Sequence, residues 1–252
     1  MLQVPALHAP GSYTGPILRI LHTNDFHGKL AGDRLESLHR LREDADFYFD
    51  CGDAIAAGNL AIPLRQDPVW QALAELRCTA SVPGNRESHV LEAGLKAKIA
   101  GLEHPLLCAN WYRAGNGRVF PPSLEIDSPI GRVGVLAVMV PMVTERMASK
   151  AASAFRWTSP IDEAQELAKH LRPRVEVLIA ITHIGLRQDR VLAEECPEVD
   201  LILGGHSHDV LNQPEYVGKT AICQTGSHAR FAGLYSFAPG KGILDAKLIP
   251  LS

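Results

Sequence analysis

A series of short apolar segments, each ending in a turn that carries metal-binding side chains, limits the possible folds of this chain. The clearest is residues 199–203, followed by Gly204-Gly205-His206-Ser207-His208. Imidazole is the commonest metal-binding side chain, and glycine tolerates the positive φ that such a tight turn requires. Ligands gather at the carboxyl ends of strands in α/β sheets, so this pattern predicts an α/β fold with a metal site at a sheet edge.

Four earlier turns repeat the arrangement, after predicted strands at residues 17–22, 46–51, 79–82 and 175–182. We expect all five turns to converge on one site. The donors they offer, counted over the sequence, are seven: Asp25, His27, Asp53, Asn85, His183, His206 and His208. Seven donors are too many for one tetrahedral ion and suit two ions that share an aspartate.

The mixture of nitrogen and oxygen donors, without thiolate, suits two divalent ions such as Mn, Fe, Co, Ni or Zn. Two such ions roughly 3.5–4 Å apart clamp the attacking and leaving oxygens of an in-line displacement. They also lower the pKa of a bound water, so that hydroxide is available near neutral pH. The donor set therefore predicts metal-dependent hydrolysis.

Composition narrows the class of protein. The 252 residues are 46% hydrophobic, enough for one large α/β core, and no Gly/Ser-rich linker divides them. A net charge of −3 gives no basic excess, so a nucleic-acid partner is not expected.

The sequence has no apolar stretch of about 18 residues, so we expect no membrane span. The first residues lack a charged, apolar leader, and we expect a cytoplasmic protein. The cysteine count is odd, five, and we expect buried free thiols, which fits a reducing compartment.

Periodicity predicts helices over residues 33–42, 68–77, 87–100 and 160–171. Further strands are predicted at 105–109, 123–126 and 133–140, and residues 111–122, rich in Gly, Pro and Arg, are predicted to be a loop. Strand-rich stretches at 105–140 and 220–248 indicate two packed sheets with helices on their outer faces.

The order of the motifs is the point of resemblance. Asp-x-His, Gly-Asp, Gly-Asn-x-Glu, a strand-end His and Gly-Gly-His-x-His resemble the calcineurin-like metallophosphoesterase superfamily. The segments 21–27, 107–110, 182–185 and 199–208 resemble the catalytic domain of its 5′-nucleotidase branch. The likeness runs from about residue 17 to the end of the chain.

The resemblance implies an α/β fold, a four-layer αββα sandwich of two mixed β-sheets flanked by helices. Residues 1–16, with their prolines and glycines, are predicted to be a loose lead-in. The resemblance implies a catalytic domain at 17–252, and we expect no C-terminal nucleotidase domain in this chain. It also implies hydrolysis of small phosphorylated substrates, nucleotides among them, by a metal-bound hydroxide; an oligomer is compatible with it. One ion would be held by Asp25, His27, Asp53 and His208, and the other by Asp53, Asn85, His183 and His206, with Asp53 bridging.

One position departs from the family pattern. The motif Gly-Asn-His-Glu normally carries a histidine where this chain has Arg86. Arginine does not release a proton at working pH, but it can hydrogen-bond two phosphate oxygens at once. Loss of a general acid typically costs about 10²–10⁴-fold in rate. His89, three residues on and at the start of the predicted helix, is a candidate donor where the branch usually has an aspartate. We hypothesise that Arg86 binds phosphate and that His89 donates the proton.

Two alternatives stay open at this stage. One is a phosphodiesterase or nuclease, since the superfamily includes such enzymes. The other is a catalytically impaired module that binds metal and phosphate, because Arg86 replaces the motif histidine. Trp111, Tyr112 and Arg113 could additionally form a small stacking surface in the predicted loop.

Overall fold

The computed structural model describes residues 13–252, so most of the predicted lead-in, 1–16, lies outside the described residues. The α-helices of the described part are α1 Asp33–Glu43, α2 Pro68–Glu75, α3 Glu92–Lys98, α4 Pro160–Leu171 and α5 Leu186–Glu195. The strands are β1 Leu18–Thr23, β2 Phe47–Asp50, β3 Ala80–Ser81, β4 Trp111–Arg113, β5 Asn116–Arg118, β6 Ser123–Ser128, β7 Gly131–Met139, β8 Phe155–Trp157, β9 Val177–His183, β10 Leu201–Leu203, β11 Glu215–Val217, β12 Thr220–Cys223, β13 Phe231–Ala238 and β14 Gly242–Pro250.

The strands form two large mixed sheets and one small sheet. The first large sheet has the order β14-β13-β1-β2-β3, and the second has the order β11-β12-β10-β9-β7-β6. Strands β1, β2 and β3 run parallel in the first, and β7, β9, β10 and β12 run parallel in the second. The parallel strands of each sheet therefore end at a common edge, which is the requirement for a shared site.

Side-chain alternation along the central strands builds the layers. In β9, Ile179 and Ile181 enter the core that also contains Ile20 of β1, so this core lies between the two sheets. Leu178 and Ala180 of β9 pack instead with the residues of α4 and α5. Because both faces are covered, β9 is apolar almost throughout, as buried parallel strands are.

The first sheet is covered on its other face in the same way. Leu21 of β1 packs in a separate cluster with Leu38 of α1 and Trp70 of α2. Helix α2 begins where expected, since Asp67 accepts the Val69 N–H and Pro68 occupies the first turn. The order helix, sheet, sheet, helix confirms the predicted four-layer αββα sandwich.

The helix predicted at 87–100 is shorter in the structure and begins only at Glu92. The preceding residues use their polar side chains on other backbone groups: Ser88 Oγ donates to the Asn85 carbonyl, and His89 Nδ1 accepts the Leu91 N–H. Such local side-chain bonds compete with the helical ladder. The prediction of a helical start at 87 is therefore wrong.

The prediction that residues 111–122 form a loop is also wrong in part, because two short strands lie in this segment. Strands β4 and β5 form a small sheet with β8, because Trp111 is buried and stacks on Trp157 at 4.7 Å between ring centroids. The strand predicted at 105–109 is reduced to one bridge between Ser81 and Leu106. Burial of two indoles outweighs the loop-like composition of the segment.

Other expectations concern thiols and membrane spans. All five cysteines are free and buried, which confirms the prediction of buried thiols. Within residues 13–252, every helix is too short or too polar to cross a bilayer.

Acid sensitivity should originate partly at His22 in β1. Burial lowers the pKa of His22 to about 3, so the folded chain resists a proton that the unfolded chain accepts below its ordinary value of 6.5. The contribution of the neutral His22 ring to the free energy of unfolding is on the order of 4 kcal/mol. It is fully present above pH 6.5 and is lost as the pH falls toward 3. We predict that His22→Leu flattens the acid limb of urea-unfolding free energy plotted against pH.

The matched control is His170→Leu, at an exposed position in the last turn of α4. For each variant, the free energy of unfolding at about pH 7 is compared with that at about pH 4. A packing cost of the substitution, which is present at both pH values, cancels in this difference. A His22→Leu profile as steep as that of the wild-type chain would contradict the assignment.

Candidate metal centre

The five turns identified in the sequence follow β1, β2, β3, β9 and β10, and they meet at the edge where the carboxyl ends of the two packed sheets come together. A hydrogen bond between a side chain and the backbone joins the two sheets here: His183 Nδ1 lies 2.6 Å from the carbonyl oxygen of Cys51. That ring nitrogen must donate to the carbonyl, which leaves Nε2 free to act as a metal ligand. The predicted convergence of the strand ends is therefore present.

Three of the predicted ligands form one group. His208 Nε2 lies 3.2 Å from Asp25 Oδ1, and His27 Nε2 lies 3.6 Å from the same oxygen. The two Nε2 atoms are 2.9 Å apart. These three donor atoms surround a single point, in a geometry that can hold a cation.

Three further ligands, together with Asp53, form a second group. Asn85 Oδ1 lies 3.3 Å from His183 Nε2 and 3.0 Å from His206 Nδ1. Asp53 Oδ1 lies 3.5 Å from His183 Nε2. One amide oxygen, one carboxylate oxygen and two ring nitrogens thus meet.

Asp53 faces both groups. Its Oδ1 is directed to His183, as described above, while its Oδ2 lies 4.0 Å from His27 Nδ1 in the first group. A carboxylate with one oxygen toward each cluster has the placement that a shared ligand requires.

Two buried atoms show that the residues fit a metal. Asp25 Oδ1 and His27 Nδ1 have no hydrogen-bond partner within residues 13–252, although buried polar atoms are almost always paired. The other oxygen of Asp25 is satisfied by Asn24 Nδ2 and by the His206 N–H. Asp25 Oδ1 lies among the ring nitrogens of His27 and His208, and a cation bound there would satisfy it.

The backbone at the site is held in the left-handed region. Asp25, His27, Asp53, His206 and His208 have φ values of 55°, 51°, 53°, 78° and 60°. Non-glycine residues adopt such angles rarely and at a cost of about 1–3 kcal/mol each, mostly at functional sites. The turns therefore place the donors at the expense of local backbone stability.

Electrostatics keep two of the donors, Asp25 and His27, in their metal-binding forms. Burial opposes ionisation of Asp25, but the neighbouring ring of His208, 3.2 Å from Oδ1, followed by that of His183, holds its pKa below the usual value. Burial, followed by the Arg86 cation, lowers the pKa of His27 to about 4. At neutral pH the site thus offers an ionised carboxylate and a neutral imidazole, as metal binding requires.

The sequence model of the calcineurin-like phosphoesterases matches residues 18–210, most of the chain. The chain belongs to this family. Its relatives include the trifunctional nucleotide phosphoesterase protein YfkN of Bacillus subtilis, which is 24% identical in an alignment that covers 93% of this chain and 19% of that protein. A 5′-nucleotidase-related protein of Glossina morsitans morsitans is 24% identical in an alignment that covers 86% of this chain and 48% of the relative.

The fold agrees with that assignment. The crystal structure of a 5′-nucleotidase precursor from Thermus thermophilus superposes with a TM-score of 0.77 at 20% identity, covering 93% of this chain and 54% of that one. The chain spans half or less of the length of the curated relatives it matches, 43%, 19% and 49% in three cases. Members of this family use divalent metals, in keeping with the donor set above.

The glutamate of the family's Gly-Asn-x-Glu motif fixes the loop that carries Asp53. The carboxylate of Glu87 accepts the N–H groups of Gly84 at 2.7 Å, Asp53 at 2.9 Å and Ile55 at 3.2 Å. Burial, and then the charge of Asp53, raise the pKa of Glu87. These three bonds offset the cost of burying the carboxylate and join the β2 and β3 turns.

Arg86 lies beside the Asp53 carboxylate. Its Nε is 3.9 Å from Asp53 Oδ2, its Nη1 donates to the Ala56 carbonyl at 3.0 Å, and its backbone N–H donates to Asp53 Oδ1 at 2.7 Å. The side chain is 29% exposed, so part of it is accessible to solvent.

His89 is placed differently from expectation. It lies before α3 rather than on it, and its ring is buried. A Cβ at Gly94 would clash with His89 Nδ1, so the ring packs directly on that glycine. The expectation that His89 shares a helical face with Arg86 is wrong. Because Nδ1 accepts the Leu91 N–H, the neutral ring carries its proton on Nε2.

Trp111, Tyr112 and Arg113 do not form a free stacking surface. Trp111 is buried against Trp157, Tyr112 donates its hydroxyl to Glu163 at 2.7 Å, and Arg113 pairs with Glu92.

A further imidazole near the site, that of His228, was missed in the sequence. Its ring lies 4.9 Å from that of His27 and 6.0 Å from that of His208, and its backbone N–H donates to the Asp25 carbonyl. The turn at 224–228 follows β12, a further parallel strand of the second sheet. The placement of His228 in a turn after an apolar strand is the sequence signal from which it could have been predicted.

A buried lysine ties Arg86 to the neighbouring loop. The Nζ of Lys98 donates to the carbonyls of Gly58 at 2.8 Å and Asn59 at 3.0 Å, and also to that of Arg86. The side chain is fully buried, and burial lowers its pKa to about 8, so the ammonium persists at neutral pH.

We predict that Lys98→Met lowers the free energy of unfolding by about 2–4 kcal/mol, because three carbonyl groups lose their donor in a buried setting. Urea denaturation measures this change. Lys96→Met, at an exposed position on the same helix, is the matched control and should change stability by less than about 0.5 kcal/mol. Equal effects of the two substitutions would contradict this role for Lys98.

Proposed function

We propose that this chain hydrolyses phosphate esters and that two divalent ions are held by the seven donors described above. The observation that carries the proposal is the arrangement of those donors in two groups around Asp53, with Asp25 Oδ1 and His27 Nδ1 buried and unpaired in the described part of the chain. Membership of the calcineurin-like phosphoesterase family supports the reaction class.

The assignment of ligands follows the two groups. One ion would be held by Asp25, His27, Asp53 and His208; the other would be held by Asp53, Asn85, His183 and His206. When bound, such ions stabilise charge on the phosphoryl oxygens and acidify a bound water.

Arg86 is the phosphate-binding group of this proposal. Its guanidinium is fixed at Nη1 by the Ala56 carbonyl, its Nε lies 3.9 Å from Asp53 Oδ2, and the side chain is 29% exposed. A planar guanidinium matches two phosphate oxygens, and it would counter charge that develops in the transition state.

The proton for the leaving oxygen must come from another group, because arginine stays charged. We retain His89 as the proposed donor. In its support, the bond from Leu91 to Nδ1 orients the ring and leaves the proton on Nε2. The ring is buried, so a positioned rather than solvated donor would result.

Small phosphate esters, nucleotides among them, are the proposed substrates. Two relatives carry the names nucleotide phosphoesterase and 5′-nucleotidase-related protein. The acidic net charge of −3 favours small substrates over nucleic acids.

We predict that the purified chain releases 4-nitrophenol from 4-nitrophenyl phosphate when Mn²⁺ is added, and that Asp53→Asn lowers kcat/KM at least about 100-fold. Loss of an outer partner of a metal ligand already costs about 10–100-fold, and a shared ligand should cost more. Asp127→Asn, at a side chain that is 87% exposed, is the control. Turnover that does not depend on Mn²⁺ and Asp53 would refute the proposal; metal binding without turnover would favour the binding module.

Loss of the proposed proton donor, His89, should affect kcat to an extent that depends on the leaving group. We predict that His89→Ala lowers kcat by about 100-fold or more with an alkyl phosphate, whose leaving oxygen needs a proton. The loss should be much smaller with 4-nitrophenyl phosphate, whose leaving group departs as an anion. Steady-state kinetics on both substrates measure the ratio, and equal losses on the two would show that His89 acts only through structure.

A further inference from the structure

A groove beside the candidate site has a volume of about 680 Å³, in the range of ligand pockets. Gly28, Ala56, Ala57, Pro63 and Leu64 form its apolar part. Resting on the proposed function, we propose that this groove binds an apolar leaving group of the phosphate ester, such as an aryl group or alkyl chain.

The groove is continuous with the centre. Gly28 directly follows the proposed ligand His27, and its N–H donates to the Ala54 carbonyl, so it lies against the Asp53 loop. Ala56 lines the groove, and its carbonyl accepts the Arg86 guanidinium. A phosphate bound by Arg86 would therefore have its ester substituent close to the mouth of the groove.

The loop along the groove exposes apolar side chains that a folded chain normally covers. Leu60, Ile62 and Leu64 are 79%, 47% and 103% exposed, at alternate positions of one short segment. Of these three, Leu64 lines the groove, and its exposed side chain offers apolar contact to a ligand there.

The loop is also held in place before any ligand arrives. Lys98 binds the carbonyls of Gly58 and Asn59 from beneath, and Asn59 Oδ1 accepts from Asn85 Nδ2 at 3.0 Å. A preorganised wall loses less entropy on binding than a free loop does.

The polar end of the groove is formed by Arg65, Gln66 and Asp67, and its one carboxylate does not face the ligand unpaired. The Asp67 carboxylate is already engaged, since Oδ2 accepts the Ala56 N–H at 2.9 Å and Oδ1 accepts the Val69 N–H at 3.1 Å. A ligand that is anionic at the Arg86 end and apolar beyond it matches this distribution.

The test compares the binding of 1-naphthylmethylphosphonate and methylphosphonate to the full chain with Mn²⁺, by calorimetry. We expect the naphthyl compound to bind more tightly, and Leu64→Ser to lower its advantage by about five- to tenfold through lost apolar contact. Leu60→Ser is the matched control, because Leu60 is exposed on the same loop but does not line the groove, and it should keep the wild-type ratio.

Two results would contradict the proposal that the groove binds the apolar leaving group. One is equal affinity for the two phosphonates, and the other is a Leu60→Ser effect as large as that of Leu64→Ser. The second result would indicate a general docking surface of the loop instead. Because phosphonates are not hydrolysed, the groove is tested separately from the reaction. Failure of the proposed function would appear as absence of Asp53-dependent turnover, with the naphthyl preference intact.

Discussion

The two large sheets pack face to face, and the contact between their carboxyl edges sets the geometry of the candidate metal centre. Cys51, just after β2, takes part on both sides of the contact: its carbonyl accepts from His183 Nδ1, and its thiol donates to the Leu203 carbonyl at 3.0 Å. Neither sheet alone has enough donors for two ions. The apolar core between the sheets, from Ile20 across to Ile181, fixes their separation and hence every distance at the centre.

Buried charged groups outside the ligand set hold that geometry. Glu87 fastens the Asp53 turn through three backbone N–H groups, and Lys98 fastens the Arg86 turn through three carbonyls. Each charge is buried where backbone dipoles of the opposite sense surround it, so removing either would leave several groups unpaired. This support allows left-handed backbone angles at five donors without collapse of the turns.

Much of the architecture and of the donor set followed from the sequence, because apolar strands that end in ligand-bearing turns are a local pattern. The failures have physical causes. Residues 87–91 leave the helical pattern because their side chains bond elsewhere, and Trp111 turns a loop-like segment into a strand by stacking on Trp157. His228 was missed because β12 is short and only its pairing with β10 brings the following turn to the site.

The kinds of donor, their order along the chain and the layered fold could all be predicted from the amino acids alone, since these depend on local periodicity and on the chemistry of single residues. Three-dimensional packing was needed to establish which donors share a point, that Asp53 faces both groups, and that His89 lies off the helix. It was also needed to bring Arg86, Ala56 and Leu64 into one continuous surface. Those relations join residues far apart in the chain, and only the packing of the two sheets sets the distances between them.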